Sequence, residues 1–130
     1  MIGLDTNVVI RYLAQDDATQ AAQATGIFDD LTEAKKGYLS AVTMVELDWV
    51  LCGAYGADRT KVAAVLQGLL EAREIALEKP DAVRRALTRV AHGAGFADAL
   101  IAALGHDAGC THTVTFDRAA ARSAGMRLID

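Results

Sequence analysis

The sequence predicts an α/β fold, a short parallel sheet with helices on both faces. Three observations carry this. Short apolar runs alternate along the chain with longer segments whose apolar residues recur at helical spacing. The short runs are continuously apolar rather than alternating, as strands buried on both sides are. The chain has 130 residues, of which 52% are hydrophobic, enough to fill one core at one-domain length.

Met1–Leu4 is the first strand candidate, and it ends at Asp5. Thr6 is placed to cap a helix starting near Asn7, with Val8, Val9, Ile10, Tyr12 and Leu13 on its apolar side. A second helix runs from about Asp17 with Ala21, Ala24, Ile27, Phe28 and Leu31 inward. Tyr38–Leu39 is a minimal strand, after which Ser40 caps a helix from Val42 to about Tyr55. Asp58 caps the next helix, in which Val62, Val65, Leu66, Leu69 and Leu70 fall at helical spacing. Glu74–Leu77 is a short strand. Pro80, the only proline, suits the first turn of a helix reaching about Ala91, with Val83, Leu87 and Val90 inward. Residues 96–108 form an almost wholly apolar helix that Gly109 stops. Thr113–Thr115 is a strand, 117–124 a helix stopped by Gly125, and Arg127–Ile129 the last strand.

Composition narrows the function classes. There is no repeat, linker or low-complexity stretch, so residues 1–130 read as a single domain. The N-terminus has no basic leader and an acid at position 5, and no apolar run approaches the roughly 20 residues that span a bilayer. A cytoplasmic protein without a membrane segment is expected. Cys52 and Cys110 lie in apolar or small-residue runs and are expected to pack as small hydrophobes. Without a CxxC or a Cys/His cluster, a zinc site is not indicated. The net charge of −4 argues mildly against passive nucleic-acid binding. Residues 1–78 hold 6 basic and 12 acidic groups, whereas residues 79–130 hold 7 and 5.

Four carboxylates stand out. Asp5 ends the first strand, and Asp117 follows the strand at Thr113–Thr115 with Phe116 between. In a parallel sheet, ligands bind beyond the carboxyl ends of the strands, so both acids are expected on that rim. Glu46 lies in a helix that is apolar on nearly every side, and Asp98 lies in the first turn of the most apolar helix of the chain. A right-handed crossover would bring both helix starts to the same rim. Each acid alone has an ordinary reading: a strand-end turn for Asp5, a partly exposed or paired helix residue for Glu46, a helix-dipole partner for Asp98 and an N-cap for Asp117. Together they suggest a cation site. Two carboxylates ~4 Å apart repel by about 4 kcal/mol at an effective dielectric of about 20, and a hard divalent cation removes that penalty. Carboxylate oxygens without imidazole or thiolate favour Mg²⁺ or Mn²⁺ over zinc, and such ions activate water against phosphate esters.

These residues are where a family resemblance appears. The chain resembles the PIN-domain ribonucleases and, within them, the VapC-type toxins of bacterial type II toxin–antitoxin pairs. The likeness rests on Gly3-Leu4-Asp5-Thr6-Asn7, on Glu46 with Leu47-Asp48-Trp49-Val50-Leu51, on Phe96-Ala97-Asp98-Ala99-Leu100-Ile101-Ala102-Ala103, and on Thr115-Phe116-Asp117-Arg118. It spans the whole length, and its specificity lies in the ordered set. The resemblance implies a three-layer α/β/α PIN-like sandwich with a short central parallel sheet. It implies that Asp5, Glu46, Asp98 and Asp117 are the catalytic acids, with Asp5 and Asp98 the principal ligands of Mg²⁺ (or Mn²⁺). Glu46 and Asp117 would complete the site, partly through water. Asn7 and Thr115 look like the family's supporting polar residues, and Arg118 lies where it can meet substrate. It also implies an RNA substrate, a cognate antitoxin protein and a homodimer. One position departs from the family: relatives often carry a further acid where this chain has Gly95.

Other residues are set aside. His92, His106 and His112 have no motif around them. Arg84, Arg85 and Arg89 read first as a solvated helix face, and they and Arg11 and Arg118 near the rim are candidate guides for an RNA backbone. Trp49 and Tyr12 read as core or dimer-face residues. Two rival functions are weighed. An aspartyl-phosphate phosphatase of the haloacid dehalogenase type also ends its first strand in Asp, but it wants a second acid two residues on, where Asn7 stands. A binding module with this fold, docking RNA or protein without cutting, is the other alternative.

Overall fold

Each of the segments read from the sequence forms an element, and in the same order. The computed structural model describes residues 1–130. β1 is Ile2–Gly3, α1 Thr6–Ala14, α2 Ala18–Asp29, β2 Gly37–Leu39, α3 Ala41–Gly53 and α4 Arg59–Glu71. β3 is Ile75–Leu77, α5 Pro80–Val90, α6 Phe96–Asp107, β4 Val114–Thr115, α7 Arg118–Ser123 and β5 Arg127–Leu128.

Local chemistry explains most boundaries. The side chains of Asp17, Ser40 and Asp58 accept backbone N–H bonds from Gln20, Thr43 and Lys61 at 2.9, 3.1 and 2.8 Å. Each such cap stabilises its helix by about 1 kcal/mol, because the first N–H groups have no partner within the helix. Pro80 opens α5, where its missing N–H costs nothing. Gly109 and Gly125, with φ of 95° and 78°, turn the chain after α6 and α7 through left-handed backbone that a Cβ would strain.

The sheet is parallel, as expected, but it is not one ladder. β1, β2 and β3 pair in that order, with Ile2 opposite Gly37 and Gly37 opposite Ile75. β4 and β5 form a second parallel pair, Val114 opposite Arg127. β1 and β4 are each two residues long, and no ladder hydrogen bonds join them. The carboxyl edge of the three-stranded sheet therefore carries Asp5, Ser40 and Glu78, the residues through which β1, β2 and β3 leave the sheet.

A single cluster of 23 buried residues forms the core. Leu39 of β2, Met44 and Leu47 of α3, Leu66 of α4 and Leu100 of α6 are its largest fully buried members. Tyr12 stacks on Phe28 with ring centroids 4.0 Å apart, joining α1 to α2. Two expectations fail here. Cys52 and Cys110 are exposed rather than packed: Cys52 ends the outer face of α3, and Cys110 lies in the loop after α6. α3 is also not buried all round, since Val42 and Trp49 are 68% and 61% exposed. No helix is long and apolar enough to cross a membrane.

One acid at the edge of the core is poorly placed for ionisation. Burial pushes the half-buried Asp48 carboxyl above the usual range, against an opposing pull from Arg59. A raised folded-state pKa for an acid means that the native state resists ionisation. The penalty is absent below the unfolded value, grows as pH rises through the raised one, and is complete above it. Asp48→Asn is therefore expected to raise the melting temperature at pH 7 and to leave it unchanged near pH 3. Paired thermal melts at the two pH values check this.

Candidate active site

Asp5 leaves β1 as the N-cap of α1, in extended backbone, and its carboxylate makes no cap bond. The cap expected at Thr6 thus falls one residue earlier, on Asp5. Thr6 is instead the first residue of the helix and is buried. Its hydroxyl reaches across the fold and donates to Glu46 Oε1 at 2.9 Å. That bond joins the start of α1 to the second turn of α3 and brings Glu46 beside the residue that follows Asp5. Glu46 itself is exposed. Its presence on an apolar helix is explained by an exposed face, not by a buried charge that needs compensation.

α3 is anchored to this edge twice. Ser40 caps it, and Glu78, leaving β3, accepts the backbone N–H of Ala41 at 2.8 Å. A carboxylate at a helix N-terminus is favoured by the unpaired N–H groups and the helix dipole. Glu78 was not singled out in the sequence. Its signal is an acid directly after a strand, in the position that Asp5 holds after β1.

Asp98 occupies the third position of α6, whose N-cap is Gly95. Gly95 has no side chain to cap the helix, and the Asp98 carboxylate turns back toward it. A Cβ built on Gly95 would lie 3.6 Å from Asp98 Oδ2, an ordinary contact, so the backbone here leaves room for a side chain. Asp117 is the N-cap of α7: its Oδ1 accepts the N–H groups of Ala119 and Ala120 at 2.8 and 3.2 Å. Thr115 Oγ1 accepts the Asp117 backbone N–H at 3.0 Å and so braces the turn. Arg118 opens α7 beside it, exposed and outside every ion pair. Asn7 is exposed and lines a groove of about 250 Å³ between α1 and α2 with Arg11, Gln20 and Gln23.

The four acids are not assembled into a cage. No three Asp, Glu, His or Cys side chains converge as metal ligands. Two of the four carboxylates have other partners, Glu46 with Thr6 and Asp117 with the α7 amides, and uncompensated carboxylates repel one another. Asp5 and Asp117 leave different ladders, so strand register alone does not put them on one rim. The donor chemistry nevertheless suits a hard divalent cation. Asp5 and Asp98 make no side-chain hydrogen bond within the protein, and Asp117 keeps one oxygen free. All are carboxylates, the oxygen donors that Mg²⁺ and Mn²⁺ prefer.

The Thr6–Glu46 bond makes a prediction. Thr6→Val keeps the volume and removes the hydroxyl. Loss of such a supporting bond typically costs about 10–100-fold in metal affinity or activity. A loss of that size is expected in any metal-dependent activity of these acids, with Thr6→Ser restoring most of it. Equal activity in all three proteins would show that Glu46 needs no brace.

A family model described as PIN domain matches residues 2–126. No curated protein and no solved structure gives a match.

Proposed function

This chain belongs to the PIN-domain family, whose members are generally nucleases, and from that premise we propose a divalent-metal-dependent endoribonuclease, the toxin of a toxin–antitoxin pair. The observation that carries the reading is that Asp5, Glu46, Asp98 and Asp117, the only acids the family resemblance singles out, all lie within the matched span. Each stands in extended cap backbone or in the first turns of a helix, and each presents oxygen donors suited to Mg²⁺ or Mn²⁺.

Asp5 and Asp98 would hold the cation, with Glu46 and Asp117 completing its surroundings. When bound, the ion supplies positive charge to a phosphodiester and lowers the pKa of water. The protein's own part is positioning. Thr6 holds Glu46, Thr115 and the α7 amides hold Asp117, and Glu78 and Ser40 fix the start of the helix that carries Glu46. Arg118, next to Asp117, offers an unpaired cation to an RNA phosphate. The reaction is in-line displacement at phosphorus by water, with the ribose oxygen leaving. A cognate antitoxin that covers the site, a homodimer and a cytoplasmic location complete the proposal.

The alternative is a catalytically silent PIN-fold module that binds RNA or protein. The observation on its side is that the Asp117 carboxylate already serves as a helix cap. Incubation of purified protein, freed of any partner, with total RNA in Mg²⁺, Mn²⁺ or EDTA separates the two. Cutting that requires the metal supports the nuclease. Intact RNA in every lane, from folded protein, supports the silent module.

A further inference from the structure

An open cavity of about 530 Å³ lies away from the acids, lined by α5, α6, the loop before β4 and the turn after α7. Its size falls within the range of small-molecule sites, roughly 300–1,000 Å³. None of its 13 lining residues is acidic, although the chain holds 17 acids against 13 basic residues. Arg85, Arg89, His106 and His112 line it instead, over a floor that includes four alanines.

These groups differ in availability. Arg85 is neutralised by Asp107, with both carboxylate oxygens at 2.6 Å. Thr88 and His112 are engaged with Arg84 and Thr111. The side chains of Arg89, His106 and Thr113 make no hydrogen bond within the protein, and no carboxylate lies within 4.0 Å of Arg89. Arg89 and His106 stand in the last turns of α5 and α6, where the helix dipole favours cations. The dipole accounts for basic residues at those ends, but not for their facing one open, acid-free cavity.

Gly125 contributes to this arrangement. A Cβ there would stand 2.8 Å from the Arg89 guanidinium, and φ is 78°. Glycine thus leaves room for Arg89 to lie across the cavity wall.

We propose that this cavity binds a phosphomonoester of mononucleotide size. Its phosphate would meet Arg89, His106 and Thr113, and its flat apolar part would lie on the alanine floor. A phosphate offers three terminal oxygens to a donor-rich wall that has no acceptor carboxylate, and its bonds to a guanidinium are charge-assisted. The proposal is independent of the nuclease reading, because none of the four acids lines the cavity.

Calorimetric titration of the intact chain with AMP, inorganic phosphate and adenosine, all in EDTA, tests it. EDTA removes any cation that could hold a phosphate at the acids. Saturable binding of AMP and of phosphate is expected, with adenosine much weaker. Arg89→Gln should weaken AMP about tenfold or more while leaving the melting temperature near that of the unsubstituted chain. Should Arg89→Gln prove unstable, His106→Ala is expected to weaken AMP as well. Adenosine binding as tightly as AMP, AMP affinity unmoved by the substitutions, or no saturable binding by the folded chain would each overturn the proposal.

Discussion

Replacing Asp5 with Ala is expected to abolish metal-dependent RNA cleavage while leaving the fold intact. Asp5 is exposed, and its carboxylate makes no cap bond, so its removal breaks no cap and leaves no buried group unsatisfied. Helix α1 would lose at most a favourable charge at its N-terminus, about 0.3–1 kcal/mol. The catalytic loss is expected to be far larger. In the proposed role of metal ligand, Asp5 would position several kcal/mol of transition-state charge stabilisation, and about 4 kcal/mol corresponds to roughly a thousandfold in rate. Single-turnover cleavage, with circular dichroism on the same samples, separates the two effects. A variant that cuts RNA within a fewfold of the unsubstituted protein would remove Asp5 from the site.

Leu39→Ala is expected to have the largest effect on stability. Leu39 is fully buried in β2, the middle strand of the three-stranded ladder, and belongs to the central cluster. Truncating such a leucine loses its transfer free energy and leaves a cavity, together about 2–5 kcal/mol. Domains are stable by only about 5–15 kcal/mol, so the variant sits near the threshold of folding at growth temperature. Urea denaturation should show a lower midpoint at an unchanged slope. A midpoint shift equivalent to less than about 1 kcal/mol would mean that the β2 environment collapses around the smaller side chain. Because Ser40 follows Leu39 directly and caps the helix that carries Glu46, the same variant should lose cleavage in step with its folded fraction.

The fold was legible because its signals are local. Asp17, Ser40 and Asp58 cap as their side chains permit, Pro80 sits where its missing N–H is harmless, and the glycines at 109 and 125 end their helices. The misreadings have non-local causes. Asp5 and Thr6 are both competent caps, and what sets their roles is a bond from Thr6 to a residue 40 positions away. α3 is apolar on nearly every side, so its pattern does not tell the buried face from the exposed one that carries Val42, Glu46 and Trp49. The break between the β1–β2–β3 ladder and the β4–β5 pair depends on strands too short to declare their neighbours.

The arrangement of the four acids was less legible than the fold. Asp117 illustrates why. Its cap and ligand readings were set against each other, yet one oxygen caps α7 and the other remains free. Glu78 went unnoticed because its bond to Ala41 spans two elements that sequence distance keeps apart.

In the proposed function the carboxylates form one cation site, and this site cuts RNA. Mn²⁺ binding and RNA cleavage, measured on the same preparations of the unsubstituted chain and of Asp98→Ala, test both together. Saturable Mn²⁺ binding and EDTA-sensitive cleavage are expected in the first, with both lost together in the second. An Asp98→Ala protein that binds Mn²⁺ and cuts RNA like the unsubstituted chain would contradict the proposed function.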